Sequence, residues 1–98
     1  MTTKLIALWT APEDIDGFEA DYLATHAPLA AAIPGVTFSA GRCAPGGPYY
    51  RFAELAFGSG DALGAGLGSP EGAAVSADGQ RLQDTFGNKL DVLIVTGD

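Results

Sequence analysis

The chain has 98 residues, of which 47% are hydrophobic and only 17% are charged, and its formal net charge is -7. This composition excludes a disordered chain, and the length predicts a single domain over residues 1–98 with one hydrophobic core. The five Lys and Arg residues form no basic stripe, so nucleic acid and anionic membranes are not expected partners. The apolar share is large for so small a domain, which predicts that a second subunit covers part of it.

Cys43 is the only cysteine, which excludes an intrachain disulfide and a cysteine-based metal centre and fits a reducing compartment. It is interpreted as a small strand residue rather than as a nucleophile. The first apolar run is too short for a signal peptide, and no run approaches the roughly 20 apolar residues of a membrane span. The sequence therefore predicts a soluble, cytoplasmic protein.

The first half of the chain predicts a strand followed by a broken helix. Residues 4–10 are almost continuously apolar, as in a strand covered on both faces. Asp14 is a potential N-cap, and helical spacing then places one stripe on the residues Ile15, Phe18, Tyr22 and His26. Pro28 predicts that this helix ends near Thr25 or His26 and that a short helical piece follows, ending at Ile33 before Pro34-Gly35.

The second half predicts two paired strands, two helices and a last strand. Strands over 36–43 and 49–57 flank the turn-rich segment 44–48. The glycines of 59–68 predict a weak or short helix, because glycine costs about 1 kcal/mol in a helix interior. Ser69 and Pro70 then begin a helix that runs to about Asp84, and the last strand covers 90–96.

The order β, α, β, β, α, β is the ferredoxin-like pattern, an α+β fold with helices on one face of a four-stranded antiparallel sheet. Both faces of the predicted strands are rich in large side chains. Since the helices can cover only one face, we expect two chains to pack sheet to sheet as a dimeric α+β barrel.

A series of motifs resembles the EthD family. The series covers nearly the whole chain and comprises Phe18-x-x-x-Tyr22-x-x-x-His26-x-Pro28-Leu29, Ile33-Pro34-Gly35, Ala53-Glu54-Leu55-x-Phe57 and Ser69-Pro70-Glu71-Gly72. The resemblance implies a homodimeric α+β barrel with a pocket between sheet and helices. It also implies a role in the breakdown of small organic compounds, such as ethyl tert-butyl ether, in which the family has an accessory role. Isomerases, cyclases and decarboxylases are among the relatives of the family.

Three residues are candidates for catalysis. His26 is the only histidine, and a histidine near a helix C-terminus can act as acid or base at neutral pH; a capping or buried structural role is the alternative. Tyr22, one turn earlier, could hydrogen-bond a carbonyl or enolate oxygen or simply pack in the core. Glu54 would be a desolvated proton donor if its strand face lines the barrel, and a structural partner of Arg51 or Arg42 if it lies at a sheet edge.

Ligand binding is predicted for an aromatic set that could line an apolar pocket, although most aromatic residues are simply core. The set is Trp9, Tyr50, Phe52 and Phe86. One histidine with scattered carboxylates has no ligand spacing for zinc or non-haem iron, so no metal site is predicted.

Three functions remain open from the residues and the resemblance. The first is a cofactor-independent isomerase, cyclase or lyase that moves a proton on a small apolar, carbonyl-bearing compound. The second is a non-catalytic accessory protein that binds a hydrophobic metabolite for a partner oxygenase. The third, a haem protein with His26 as axial ligand, ranks last because no second polar group is predicted beside His26.

Overall fold

The computed structural model describes residues 2–97 of the chain. The elements follow the predicted order, with each helical region in two parts. Their bounds are β1 (Thr3–Trp9), α1 (Ile15–Asp21), a π-helical turn (Tyr22–His26), α2 (Ala27–Ala31), β2 (Thr37–Arg42), β3 (Arg51–Phe57), α3 (Gly60–Leu67), α4 (Pro70–Phe86) and β4 (Leu90–Thr96).

The four strands form one antiparallel sheet in the order β2-β3-β1-β4. In the central strand β1, Trp9 lies opposite Arg51 of β3 and Leu90 of β4. Because side chains alternate along a strand, these three share the face that the helices cover. The predicted ferredoxin-like α+β fold is confirmed.

The predicted helix break at Thr25 or His26 is wrong. Helical backbone continues from α1 through the π-helical turn into α2, and His26 and Ala27 both have right-handed helical angles. The amide of Ala27 donates to the carbonyl of Tyr22, five residues back, so the turn widens by one residue just before Pro28. This wider turn accommodates the proline ring, which would clash with the preceding turn of a regular helix.

The glycine-rich segment after β3, predicted to be a weak or short helix, forms a short helix, α3, of eight residues. Ser59 caps its N-terminus, with its hydroxyl 3.0 Å from the amide of Ala62. A Cβ atom at Gly66 would lie 2.7 Å from the Phe57 ring and 3.0 Å from the Ile33 side chain. The absence of a side chain there lets α3 pack directly on the core, which offsets the low helix propensity of glycine.

Helix α4 begins as predicted and ends two residues later than predicted. The Ser69 hydroxyl accepts a hydrogen bond from Gly72, 3.1 Å away, and Pro70 occupies the first turn. Gly87 ends the helix with φ of +65°, a left-handed conformation that glycine adopts without a steric penalty. The predicted bounds of β4 are confirmed.

The two faces of the sheet differ in a single chain. The helix-covered face carries the core, except at the edge strand β4, where Val92 and Ile94 on that face are 48% and 55% exposed; on the other face Leu93 is 52% exposed and Val95 is 43% exposed. Ile15, predicted to share the buried stripe of its helix, is exposed, whereas Phe18, Tyr22 and His26 are buried.

In the described residues, no helix is long and apolar enough to cross a membrane.

Candidate functional site

A cavity of about 370 Å³ lies between the sheet and the helices. This volume falls in the range of small-molecule pockets. Side chains from β1, β3, β4 and α4 make most of its wall apolar. Polar or aromatic groups enter it from Trp9, Tyr22 and His26, and the apolar wall includes Leu5, Ala7, Phe38, Leu55, Val75 and Leu90.

His26 is brought to the cavity by the π-helical turn. It lies four residues after Tyr22, and the two rings are 5.4 Å apart between centroids. The His26 ring also meets Trp9 edge to face, with centroids 5.5 Å apart. The expectation that His26 lies near a helix C-terminus is wrong, because the helical backbone runs on to Ala31; the side chain itself is buried.

Asp78 of α4 contacts the imidazole of His26 at Nδ1. Its Oδ2 lies 2.9 Å from Nδ1 of His26, in a buried contact. A carboxylate partner favours the tautomer that carries its proton on Nδ1, and this leaves Nε2 as the acceptor nitrogen. Burial lowers the pKa of His26 below its ordinary value, against the opposing effect of Asp78. The neutral ring is therefore the favoured form at neutral pH.

Arg81 extends this pair into a chain of charges. Its Nε donates to Asp78 over 2.7 Å, and its two terminal nitrogens donate to Asp21 of α1 over 2.9 and 2.7 Å. Burial alone would raise the pKa of Asp78, but the hydrogen bonds from Arg81 and His26 lower it. Asp78 therefore stays ionised beside the ring, and the chain ties α4 to the helix that carries His26.

Two buried polar atoms beside His26 have no hydrogen-bond partner among the described residues. They are Nε1 of Trp9 and Oη of Tyr22. Burial raises the pKa of the Tyr22 phenol, although the Arg51 guanidinium, 4.4 Å from the ring centroid, opposes this. Both atoms can donate a hydrogen bond and an unpaired buried donor costs free energy, but both are fully buried, so a ligand oxygen reaches them only if the neighbouring side chains move.

Of the predicted site residues, Trp9, Tyr22 and His26 meet at the cavity and four do not reach it. Glu54 lies on the other face of the sheet, where its Oε1 is 3.3 Å from Nζ of Lys4, so its ionic partner is neither arginine considered above. Phe52 alternates with the helix-facing residues of β3 and shares that outer face with Glu54.

Tyr50 and Phe86 lie behind the cavity wall. Both pack edge to face against Phe18, at centroid distances of 6.3 and 5.5 Å. They support the aromatic cluster that contains Trp9 and Tyr22 rather than the cavity itself. No group of three or more His, Cys, Asp and Glu side chains that could hold a metal ion occurs within residues 2–97.

Asp78 was not among the residues predicted for the site. The signal was present, because Asp78 lies three residues after Val75 and four before Leu82, on the apolar stripe of α4. A lone carboxylate on a buried stripe needs a partner. The partner, His26, is 52 residues away in the sequence and is found only from the packing of the helices.

The sheet order, the split helices and the cavity between them define a ferredoxin-like α+β protein in which a histidine, paired with an aspartate, lines an apolar pocket. An ethyl tert-butyl ether degradation (EthD) family protein from Bacillus halodurans has the same fold, with a TM-score of 0.89 and 29% identity over 100% of both chains. The resemblance to the EthD family that the motifs indicate is confirmed.

More distant structures share the fold. A Dabb family protein with a ferredoxin-like fold from Mesorhizobium loti has a TM-score of 0.76 and 16% identity, over 99% of this chain and 97% of its own. SnoaB, a cofactor-independent oxygenase from Streptomyces nogalater, has a TM-score of 0.64 and 17% identity, over 98% and 92%. Other matches are described as dimeric and ferredoxin-like. No protein-family model and no curated protein matches the chain.

Proposed function

We propose that the cavity binds a small apolar compound bearing a carbonyl group and that His26 moves a proton on it without a cofactor. The observation that carries the proposal is that His26 lines the cavity while its Nδ1 makes a buried 2.9 Å contact with Asp78 behind the wall. A histidine that lines a pocket and is oriented by a carboxylate is a common arrangement of a general base.

The protonation state of His26 supports this role. Burial lowers its pKa, so Nε2 is an unprotonated base at neutral pH. Asp78 remains ionised and stabilises the imidazolium that forms once Nε2 has accepted a proton. The pair thus favours proton uptake at Nε2 without protonating the ring in advance.

The unpaired donors beside His26 supply the second half of the chemistry. Removing a proton from the carbon next to a carbonyl places negative charge on the carbonyl oxygen. Nε1 of Trp9 and Oη of Tyr22 lack partners in the described chain but are fully buried, so this step requires the aromatic side chains to shift on ligand binding until one of these groups can donate to that oxygen. A donor held by the protein stabilises such a charge with less reorganisation than water requires.

The proposed reaction balances without an oxidant. Nε2 takes the proton from the α-carbon, the C–H electron pair forms the enolate, and the same proton returns from the imidazolium to a different carbon or to oxygen. An isomerisation results, and if the enolate attacks a second carbonyl of the same molecule, a cyclisation results. Glu54, on the opposite face of the sheet, has no part in this scheme.

Exchange of hydrogen for deuterium tests the proton transfer directly. Wild-type protein in D₂O should accelerate exchange at the α-carbon of aromatic lactones or β-keto compounds, followed by NMR. His26→Asn should slow this exchange by about 10²- to 10⁴-fold, the usual contribution of a general base. Binding, followed through the fluorescence of Trp9, the only tryptophan, should persist.

Ser76→Ala is the matched control, because Ser76 lines the cavity and is not part of the proposed proton path. Its exchange rate should stay within about threefold of wild type, an effect of about 0.6 kcal/mol. Equal exchange rates in wild type and His26→Asn would remove His26 from the mechanism.

A non-catalytic accessory role is the second candidate. It is favoured by the apolar character of the cavity wall, in which His26 is the one side chain with a pKa near neutrality in the described residues. The protein would then hold a hydrophobic metabolite for a partner oxygenase, as in an ether-degrading system. Ligand binding that quenches Trp9 fluorescence, with no α-carbon exchange, would support this role over catalysis.

We also propose that the outer face of the sheet pairs with a second copy of the chain in the cytoplasm. The exposed side chains of Leu93 and Val95 support this, as do the similar structures described as dimeric. Light scattering should give the mass of two chains for wild type and of one chain for Leu93→Asp. A single-chain mass for wild type would contradict the dimer.

A further inference from the structure

Two glycines in α4 lie seven residues apart on the same side of the helix, but their surroundings differ. A Cβ atom at Gly72 would lie 2.4 Å from the carbonyl oxygen of Leu67 and 2.5 Å from that of Gly66. The crossing of α3 and α4 therefore requires glycine at position 72. The same argument does not apply at Gly79.

Gly79 has room for a Cβ atom, and that room adjoins the cavity. A Cβ atom there would lie 3.5 Å from Leu90, 3.8 Å from Cε1 of His26 and 4.0 Å from Trp9, all ordinary van der Waals distances. Each of these residues lines the cavity, as Gly79 itself does. Glycine is among the least favourable residues in a helix interior, and packing gives no reason for it here.

The space beside Gly79 lies next to the imidazole ring of His26. Cε1 is the ring carbon bonded to both Nδ1 and Nε2, and Nδ1 is occupied by Asp78. A side chain at position 79 would lie against the ring edge next to Nε2. It would narrow the cavity at the atom that the proposed function uses as a base.

We propose that Gly79 sets the size limit of the ligand at His26, admitting a fused-ring ketone to Nε2 that any larger residue would exclude. The inference rests on the proposed function for its ligand class. A small ketone would still fit when position 79 carries a side chain, because the rest of the cavity is unchanged.

Ring size tests the limit. In titrations that follow Trp9 fluorescence, Gly79→Leu should weaken the binding of 1-tetralone by at least about tenfold, as expected for steric exclusion from an apolar pocket. The affinity for cyclopentanone should change by less than about threefold, because this smaller ketone does not need the space beside position 79. Equal affinities of wild type and Gly79→Leu for 1-tetralone would overturn the inference and leave the proposed function standing.

Gly64→Ala and Gly79→Ala form a matched pair that separates the cavity from helix stability. Gly64 lies inside α3, and a Cβ atom there would meet nothing within 4 Å. Both substitutions should raise the thermal midpoint, because alanine favours a helix. Only Gly79→Ala should weaken the binding of 1-tetralone, and equal weakening by both would contradict the inference.

Xenon tests the space independently of the ligand class, since it enters apolar cavities regardless of functional groups. Dissolved xenon should shift the NMR signal of the His26 Hε1 proton in wild type, and Gly79→Leu should abolish that shift. If no ketone binds to wild type, the proposed function fails, and the xenon result alone decides whether Gly79 controls the space. A xenon shift that survives in Gly79→Leu would overturn the inference.

Discussion

Two buried carboxylates flank the aromatic cluster of this protein, and they are used differently. Glu19 of α1 accepts hydrogen bonds from Nε of Arg51 over 2.9 Å and from Nε of Arg42 over 3.0 Å. Asp78 of α4 accepts from Arg81 and contacts His26. The first cluster contains only groups that are permanently charged near neutral pH, whereas the second contains a ring that can change its charge.

Burial of a carboxylate does not by itself identify a functional site, since Glu19 and Asp78 are both buried. Hydrogen bonds from Arg51 chiefly lower the pKa of Glu19, and those from Arg81 and His26 lower the pKa of Asp78. Only the second cluster reaches the cavity, through a ring with one nitrogen left for a ligand. The first cluster therefore serves stability, and the second is proposed to serve chemistry. Four predictions test this division.

The largest effect is expected for Arg51→Gln. The Arg51 side chain is 7% exposed, and its loss leaves the buried Glu19 with only the peripheral Arg42. Breaking a buried ion pair on one side costs about 3–5 kcal/mol of unfolding free energy. Urea denaturation measures this loss. A loss below about 1 kcal/mol, the value of a surface pair, would show that the cluster is not structural.

Asp78→Asn should reduce α-carbon exchange by about 10- to 100-fold, the usual effect of losing the group that orients a functional histidine. Asp78 raises the pKa of His26 against the effect of burial, so its removal should lower that pKa further. The acid limb of the pH–rate profile should then move to lower pH. Asp21→Asn is the control: Asp21 binds Arg81 and raises the pKa of His26 only as a more distant charge, so this variant should move the limb in the same direction but by less than Asp78→Asn does.

Stability should fall in acid in two separate steps. The folded pKa of His26 lies below its unfolded value of about 6.5, so the unfolded chain binds the proton first as pH falls and stability declines from about pH 6.5 downward. The folded pKa values of Glu19 and Asp78 are also below their unfolded values, but here because hydrogen bonds favour the charged carboxylate rather than because burial disfavours a charge. Protonation of these carboxylates should therefore lower the stability further from about pH 4.5 downward.

His26→Gln isolates the first step, since the chain has no other histidine. Urea midpoints measured from pH 8 to pH 5 should fall in wild type and stay level in the variant. An equal decline of the urea midpoint in both proteins would show that a group other than His26 titrates in this pH range.

The smallest effect is expected for Arg42→Gln. Arg42 binds the same carboxylate as Arg51, but its side chain is 62% exposed. Exposed ion pairs contribute about 0–1 kcal/mol, so urea denaturation should give a change in that range. A loss equal to that of Arg51→Gln would mean that exposure does not separate the two arginines.

Much of the fold was predictable from local patterns. Ser69 with Pro70, the turn-rich segment between β2 and β3, and the apolar run of β4 each specify an element through interactions between near neighbours in the chain. The sequence order of those elements then indicated the ferredoxin-like sheet. The π-helical turn was missed because the effect of Pro28 was interpreted as a break, whereas widening the turn by one residue relieves the same clash.

The candidate site was predictable only in part. His26, Tyr22 and Trp9 stand out in the sequence as a lone histidine and large aromatic residues, and the structure brings them together at the cavity. The side of the sheet on which Glu54 lies depends on strand register, because a shift of one residue exchanges the two faces.

The sequence by itself determined the elements, their order and the presence of a titratable ring beside an aromatic stripe, because these follow from spacing and local hydrogen bonds. Tertiary structure decided which carboxylate joins that ring. Asp78 and Glu19 are both acids near apolar stripes, and only the packing of α4 against the π-helical turn brings Asp78 to His26 across 52 residues of sequence. A contact so distant in the chain leaves no local pattern, since it depends on how whole helices meet.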